Sequence, residues 1–350
     1  MSSTTAVEAP TTGGAAALRR PRRVLALWLV VVLLVTVGVA LASVLVGSRD
    51  VAWADVVAAL GGSTDGFAEA AVAKRIPRTL LALLVGAALG VSGAVMQGVT
   101  RNPLADPGIL GVSTGASLGV VVGLAFFGMA TAATVVWVAI VSAGVTAVLV
   151  YVVGSLGRGG ATPLKLALAG ATTSAALSSL VSAVVLPRND IAGGVRSWLV
   201  GGVGGGTYAS IRQVLPFLLV GVVVCLLSAR GLNSLALGDD LAAGLGENVA
   251  LTRGTAAVGA VVLCGASVAV TGPIGFVGLV VPHACRLLVG VDHRWLLPFS
   301  ALVGAALLTA ADVLGRVVAR PAEVDVGIIT ALVGAPFFIY LVRRRKLREL

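Results

Sequence analysis

The side chains that could do chemistry are few in this sequence, and their spacing favours no reaction. The two histidines, His283 and His293, lack the spacing of metal ligands. The three cysteines, Cys225, Cys264 and Cys285, lie far apart at apolar positions and form no CxxC pair. The sequence also lacks a Ser/His/Asp set, a pair of catalytic carboxylates and a phosphate-binding GxxxxGKS or GxxxxGKT loop. We therefore predict that the chain is not an enzyme and holds no metal or cofactor of its own.

The composition is typical of a membrane protein. Of the 350 residues, 58% are hydrophobic and 11% are charged, and the mean hydropathy is +1.04. Soluble domains usually carry about 25% charged residues, and disordered chains contain far less apolar surface. The apolar residues form continuous runs rather than the alternating segments of a membrane barrel. These features predict an all-α, polytopic membrane protein that contacts lipid and does not bind nucleic acid, despite its net charge of +10.

The lengths of the charge-free runs predict about ten transmembrane helices. One helix needs about 20 apolar residues to cross a bilayer. Residues 107–157 and 254–285 are each too long for one crossing, so we divide them at 128–133 and at 271–273. The predicted spans are 24–48, 79–100, two within 107–157, 166–187, 213–229, two within 254–285, 295–311 and 326–342. The glycine-rich segment 197–211 is interpreted as a surface or partly inserted segment.

The charges at the two ends predict the orientation. Basic clusters at 19–23 and 343–348 flank the first and last spans, and an even number of spans puts both termini on one side. By the positive-inside rule that side is the cytoplasm. We therefore predict a disordered, basic cytoplasmic tail at 1–23 and a single ten-helix transmembrane domain at 24–345.

Several arginines lie on the side of the membrane where the positive-inside rule disfavours them. They are placed at the outer ends of the second and ninth spans, in or beside the outward loops. One interpretation is headgroup contact or a local ion pair, such as Asp312 with the arginine four positions later. The other is a basic docking patch for an acidic partner outside the membrane. The four residues are Arg75, Arg78, Arg316 and Arg320.

The sequence contains enough apolar spans to surround a transport path, but it shows no motif that would supply the energy for transport. The middles of the predicted spans contain no carboxylate that would indicate a proton or sodium relay, and Asp312 lies near a span end. This favours a transporter subunit that is driven by a separate protein. The longest inner loop, 230–253, is amphipathic and is predicted to be either a membrane-surface helix or a docking element.

An ordered set of motifs resembles the FecCD family over residues 24–345. These proteins are the permease subunits of bacterial iron–siderophore, haem and cobalamin ABC importers. A single GxxxG pattern would be unspecific, whereas this series in its expected order is highly specific. The motifs are Arg75-Ile-Pro-Arg78, 86–97, 101–107, 110–116, 235–238, 272–283, 292–294 and 334–338.

The resemblance implies a cobalamin-permease-like fold of ten helices in the bacterial inner membrane. It implies four kinds of partner: a second permease subunit, identical or paralogous, two ATPase subunits, an extracytoplasmic substrate-binding protein and membrane lipid. ATP-Mg would bind to the ATPase subunits, so this chain would need no cofactor. The implied function is ATP-driven import, with a ferric siderophore preferred because it is the commonest cargo of the family.

The resemblance also implies three groups of site residues. The residues that would dock the binding protein are Arg75, Arg78 and Arg316. The residues that would couple to the ATPase lie in the loop 233–248 and are Leu235, Gly238, Asp239, Leu241, Ala242, Leu245 and Gly246. The gate and path residues would be Gln97, Asn102, Leu104, Thr162, Pro163 and Leu164, although Asn102-Pro103 would also be explained as a simple helix stop.

Three alternatives remain open from the sequence. A cobalamin or haem permease of the same family would show the same motifs. An ATP-independent secondary transporter would be expected to carry ionisable residues within its spans, and a membrane enzyme would need a convergent reactive group. The sequence shows neither of these features.

Overall fold

The chain is described here by a computed structural model that covers residues 21–47, 51–62, 66–108, 110–129, 131–156 and 162–346. All regular elements over these ranges are helices, as predicted. Of the predicted tail 1–23, only residues 21–23 fall within the described ranges, and the first helix begins there. The helices are α1 (Arg22–Leu45), α2 (Trp53–Leu60), α3 (Phe67–Thr100), α4 (Val112–Phe127), α5 (Ala132–Ser155), α6 (Pro163–Val185), α7 (Asn189–Val200), α8 (Tyr208–Leu227), α9 (Ala229–Leu235), α10 (Asp239–Gly244), α11 (Val249–Thr271), α12 (Val277–Val289), α13 (His293–Val318) and α14 (Val326–Lys346).

Ten of these helices correspond to the ten predicted spans. Within the described ranges, seven are long and apolar enough to cross a membrane, namely α1, α3, α5, α6, α8, α11 and α13. Two shorter apolar helices, α4 and α12, and the short apolar part of α14, Val326–Tyr340, complete the set. Both predicted breaks are confirmed, since α4 ends before Gly128 and α11 ends before Gly272. Both glycines have a positive φ, 55° and 69°, which other residues rarely adopt.

The helix α3 is longer than the sequence predicted. The apolar run begins at residue 79, but the helix begins at Phe67 and contains Arg75 and Arg78. The charged residues therefore did not end the helix; they only ended the apolar run. The helix continues because both arginines find hydrogen-bond acceptors inside the chain.

The short helices lie between the spans. The segment that was interpreted as a surface or partly inserted piece consists of the end of α7, a glycine-rich connection and the start of α8. The helix α8 begins at Tyr208, five residues before the predicted span, because the Thr207 hydroxyl accepts a bond from the Ser210 backbone N–H and caps it. The helices α9 and α10 form the inner connection between α8 and α11.

Helix α3 lies at the centre of the bundle and is packed through glycines. In the most apolar stretch of α3, 78% of the residues are buried, compared with 17% in the corresponding stretch of α1. A Cβ added at Gly90 of α3 would overlap the Ser300 carbonyl group of α13, and one added at Gly93 would overlap the backbone of Gly278 in α12. Such close backbone approach is the usual way to pack helices in lipid, where the hydrophobic effect does not drive helix association.

We expect Gly90→Ala to lower the free energy of unfolding by about 1–3 kcal/mol, because the new methyl group has no space between α3 and α13. The matched control is Gly254→Ala in α11, where no atom lies within 4 Å of the new Cβ. This control should be neutral or slightly stabilising, since alanine favours helix. Thermal unfolding of the detergent-solubilised variants tests the difference, and equal stability of the two would contradict the close approach.

Candidate functional site

The side chain of Arg316 is buried at the end of the bundle that is predicted to face outward. Only 1% of it is exposed. Its guanidinium donates hydrogen bonds to the carbonyl oxygens of Ser43 (2.8 Å) and Val46 (3.2 Å), and to the Ser43 hydroxyl (2.6 Å). The last carbonyl groups of a helix lack intrahelical partners and carry partial negative charge. Arg316 of α13 therefore caps the carboxyl end of α1.

Arg75 of α3 caps the same helix end. Its guanidinium donates to the carbonyl oxygens of Val44 (3.2 Å) and Leu45 (3.0 Å), and the residue is 6% exposed. A further bond joins the hydroxyl groups of Ser43 and Thr79 at 2.7 Å. The end of α1 is thus fixed between α3 and α13.

The carboxylate of Asp312 is shared by two arginines. It accepts bonds from the Nε (3.1 Å) and Nη2 (2.8 Å) of Arg78, and it forms the predicted ion pair with Arg316 at 3.1 Å. The second nitrogen of the Arg78 fork, Nη1, pairs with Glu323 at 2.6 Å. Because Asp312 is only 1% exposed, this carboxylate compensates two positive charges that are largely withdrawn from water.

Two of the three predicted docking residues are therefore buried, where an exposed basic patch was expected. Arg75 and Arg316 are buried and bonded to the end of α1, so they do not present their charge to the outside. Arg78 is partly accessible, and Arg320 is exposed. Glu323 was not predicted from the sequence; the surplus of arginines over carboxylates near Asp312 was the signal that could have indicated a second acid.

The opposite end of the bundle carries the predicted coupling residues, and the structure divides them into two faces. Leu235 and Ala242 are fully buried and hold the short helices α9 and α10 to the bundle. Leu241 and Leu245, together with Leu237, are more than half exposed. Gly238 and Gly246 have φ values of 107° and 83°, so they provide the turns on either side of α10.

Two polar contacts connect residues 233–248, which we call the coupling segment, to the long helices. Asp239, at the start of α10, pairs with Arg101 at the end of α3 (2.8 Å) and with Arg253 in α11 (3.0 Å).

The second anchor is Asn233 in α9. Its amide donates to the Asp292 carboxylate at 2.6 Å, and its oxygen accepts the backbone N–H of His293 at 2.9 Å, which fixes α9 to the start of α13. The coupling segment is therefore connected to α3, α11 and α13.

The predicted gate and path residues take up local structural roles. The Asn102 side chain accepts the backbone N–H of Leu104 at 3.0 Å, which is the arrangement of a helix stop followed by a turn. Thr162 caps α6 by accepting the backbone N–H of Lys165 at 3.3 Å, with Pro163 as the first helical residue, and Leu164 is exposed.

Gln97 does not line an open path. It is 2% exposed; its amide donates to the Gly278 carbonyl of α12 at 3.1 Å, and its oxygen accepts a bond from Arg286. Gln97 was predicted on the path from the resemblance alone, and the structure instead gives it a role in joining α3 to α12.

Within the described ranges, no group of three or more His, Cys, Asp or Glu side chains could hold a metal ion. One end of the bundle thus offers paired charges, and the other offers exposed leucines.

Comparison with known proteins identifies the family. Residues 30–344 match the FecCD transport family. The chain is 43% identical to the ferric enterobactin transport system permease FepD of Escherichia coli over 316 residues, which are 89% of this chain and 93% of that protein. It is 42% identical to the cobalamin import system permease BtuC of Halobacterium salinarum over 282 residues, or 79% and 74% of the two chains.

A solved structure agrees with this match. An inward-facing ABC transporter of metal-chelate type superposes with a TM-score of 0.75 at 30% identity, covering 92% of this chain and 99% of the other. The fold and the two ends of the bundle therefore define a multi-pass permease subunit of an ABC importer. This chain belongs to the FecCD transport family.

We expect Asp312→Asn to lower the free energy of unfolding by about 3–5 kcal/mol, because it leaves the buried Arg316 without its carboxylate. The matched control is Asp190→Asn, since Asp190 pairs with Arg188 at 2.8 Å but is 59% exposed, so water replaces the lost partner. Thermal unfolding in detergent compares the two. A control as destabilised as Asp312→Asn would mean that the buried network contributes no special stability.

Proposed function

We propose that this chain is the membrane path of an ATP-driven importer of ferric siderophores in the bacterial inner membrane. A substrate-binding protein delivers the chelate from outside, and two ATPase subunits bind on the cytoplasmic side. The observation that supports transport driven by a separate subunit is a set of exposed leucines in and beside α10. Leu237, Leu241 and Leu245 are 56%, 63% and 68% exposed.

These exposed leucines are suited to contact with a protein partner because the segment that carries them is held in place. The other face of this segment is buried against the bundle, and its polar residues are bonded to neighbouring helices. Exposed apolar side chains are typical of a docking site when they lie on a short helical element that is fixed by contacts with the rest of the protein. The ATPase would hold Leu241 and Leu245 in a cleft, and ATP-Mg would be bound there by the ATPase and not by this chain.

The anchors of the coupling segment suggest how ATPase motion reaches the path. A displacement of α10 would act on α3 and α11 through Asp239, and a displacement of α9 would act on α13 through Asn233. Because α3 and α13 pack through glycine contacts along their length, they would move as one unit. The result would be a tilt of the helices around the path, with Asn102–Leu104 and Thr162–Leu164 near its inner end as the predicted gate.

The surface of α6 supports a second permease subunit, identical or paralogous. This helix exposes hydroxyl side chains that would be unfavourable against lipid tails, although each of the bonded ones returns a hydrogen bond to its own helix. A polar helix face of this kind fits a water-filled path between two subunits. Weak polar groups, rather than strong ligands, suit a path that must release its cargo. The exposed residues are Thr172, Ser178, Ser179 and Ser182.

A siderophore supplies all ligands of its iron, which suits a chain whose described residues form no metal-ligating cluster, and cobalamin and haem likewise carry their metal within a macrocycle. The named relatives include an enterobactin and a cobalamin permease at almost equal identity. The longer match to the enterobactin permease and the metal-chelate structure favour a siderophore.

Uptake by cells that lack this chain tests the cargo. We expect deletion to abolish accumulation of a labelled ferric siderophore of the hydroxamate or catecholate type, with restoration by the intact gene. Labelled cobalamin and haem serve as parallel tracers. Loss of cobalamin or haem uptake alone would replace the proposed cargo, and uptake that persists after ATP depletion would indicate the secondary-transporter alternative.

The coupling role of Asp239 can be tested in proteoliposomes that contain the assembled importer. We expect Asp239→Asn to lower the ratio of siderophore imported to ATP hydrolysed at least about fivefold, since the neutral side chain weakens the ion pairs with Arg101 of α3 and Arg253 of α11. The matched control is Asp240→Asn, which removes the same charge from the exposed neighbouring residue. An equal loss in both variants would assign the effect to charge rather than to the anchor.

A further inference from the structure

The helix α11 lies between α5 and α8 and approaches both of them at glycines. A Cβ added at Gly265 would lie 2.8 Å from the Cα of Ile140 in α5, and one added at Gly259 would lie 2.9 Å from the Sγ of Cys225 in α8. One face of α11 therefore belongs to α5 and the next belongs to α8. The surface of α11 between these two faces is covered only where α5 and α8 come together.

This surface of α11 is covered in the outer half of the bundle and open in the inner half. In the outer half α5 and α8 meet through the rings of Trp137 and Phe217, whose centroids are 4.9 Å apart. Leu251, Val258 and Gly265 follow one another at intervals of about two helical turns, so they share one face of α11. Gly265 is covered by α5, whereas Leu251 and Val258 are 62% and 61% exposed. The helix α5 therefore diverges from α11 toward the inner end and leaves a groove that narrows outward.

The lining of this groove, which we call the inner groove, is largely apolar. Val148 and Tyr151 continue the face of α5 that begins at Ile140, and both are more than half exposed. On the other side, Val224 of α8 lies close to α11 and is partly exposed. The floor has open space, because a Cβ added at Gly254 would meet no atom within 4 Å. The lining residues are Leu251, Gly254 and Val258 of α11, Val148 and Tyr151 of α5 and Val224 of α8.

The depth and shape of the inner groove favour an acyl chain as its occupant. Val258 lies about 13 Å along α11 from the first residue of this helix, Val249, at a rise of about 1.5 Å per residue. A surface at that depth lies in the hydrocarbon core, where only lipid or another transmembrane helix can cover it. A helix packs at an interaxial distance of about 8–10 Å and does not fit a groove that narrows to a contact between two rings. A thin, flexible acyl chain does fit.

A cation lies at the inner end of the same helices. Arg230 is in the first turn of α9, directly after the inner end of α8. Its side chain is exposed and forms no ion pair or side-chain hydrogen bond within the part of the chain that the structure describes. A basic side chain at this level of the membrane attracts the phosphate of a lipid headgroup. An anionic headgroup compensates this charge, whereas a zwitterionic headgroup brings a second cation with it.

We propose that the inner groove binds an acyl chain of an anionic phospholipid, taken from the leaflet on the side of the coupling segment, and that Arg230 holds the phosphate of this lipid. The lipid fills the space where α5 leaves α11 and connects α5, α8 and α9. The site goes beyond the proposed function, since it requires neither the cargo nor the ATPase.

The test titrates the full chain, purified in mild detergent, with phosphatidylglycerol, and uses phosphatidylcholine as the uncharged reference. Native mass spectrometry gives the apparent dissociation constant of each lipid. Gly254→Leu places a side chain in the groove and should weaken phosphatidylglycerol binding at least about fivefold, because the acyl chain loses its apolar contact with α11. The matched control is Gly38→Leu in α1, where a Cβ also meets no atom within 4 Å but lies outside the groove.

A second pair of variants tests the headgroup contact. Arg230→Gln should weaken phosphatidylglycerol binding about threefold and leave phosphatidylcholine binding unchanged, which is the range for one exposed ion pair. The matched control is Arg212→Gln, an exposed arginine near the opposite end of α8. Phosphatidylglycerol should also raise the Tm of the unaltered chain by more than that of Gly254→Leu, because a ligand stabilises only the state that binds it.

Weaker phosphatidylglycerol binding in Gly254→Leu and Arg230→Gln, with both controls unchanged, supports the lipid site. Unchanged binding in either variant, an equal loss in its control, or an equal Tm shift in Gly254→Leu overturns it. Retained lipid binding in Gly254→Leu together with loss of associated ATPase subunits would assign the groove to a protein contact instead.

Discussion

The architecture of this permease depends on how the charges of three arginines are compensated at one end of an apolar bundle. Asp312 compensates Arg78 and Arg316, Glu323 pairs with the Nη1 of Arg78, and both Arg75 and Arg316 donate to carbonyl groups at the end of α1. A buried charge without a partner is very costly, so these contacts are mutually dependent. They fix α1, which is otherwise largely exposed, to the central helices α3 and α13.

The same two helices carry the contacts at the opposite end. Arg101 at the end of α3 binds Asp239, and the start of α13 binds Asn233, so the coupling segment is tied to the pair that also holds the arginine network. Between the two ends, glycines bring the backbones of α3 and α13 into direct contact. The helix pair α3 and α13 therefore forms a continuous connection between the two ends of the bundle.

Much of the fold could be predicted because it depends on local properties of the chain. The ten apolar helices and their two internal breaks follow from run length and from glycine, and both agree with the structure. The ion pair between Asp312 and Arg316 followed from helical spacing alone. The start of α3 was missed because an apolar run measures lipid contact, whereas a helix end is decided by where its polar groups find partners.

The sequence by itself determined the class of protein, the number of spans and the family, since these depend on composition, periodicity and an ordered set of motifs. Only the tertiary structure decided what the charged and amide side chains do. Arg316 and Gln97 were expected at a docking surface and on a path, yet both are buried between helices. The reason is physical: whether such a side chain faces a partner or holds the bundle together depends on which acceptors lie within about 3 Å. Those acceptors, such as the carbonyl of Ser43 for Arg316, come from residues far away in the chain.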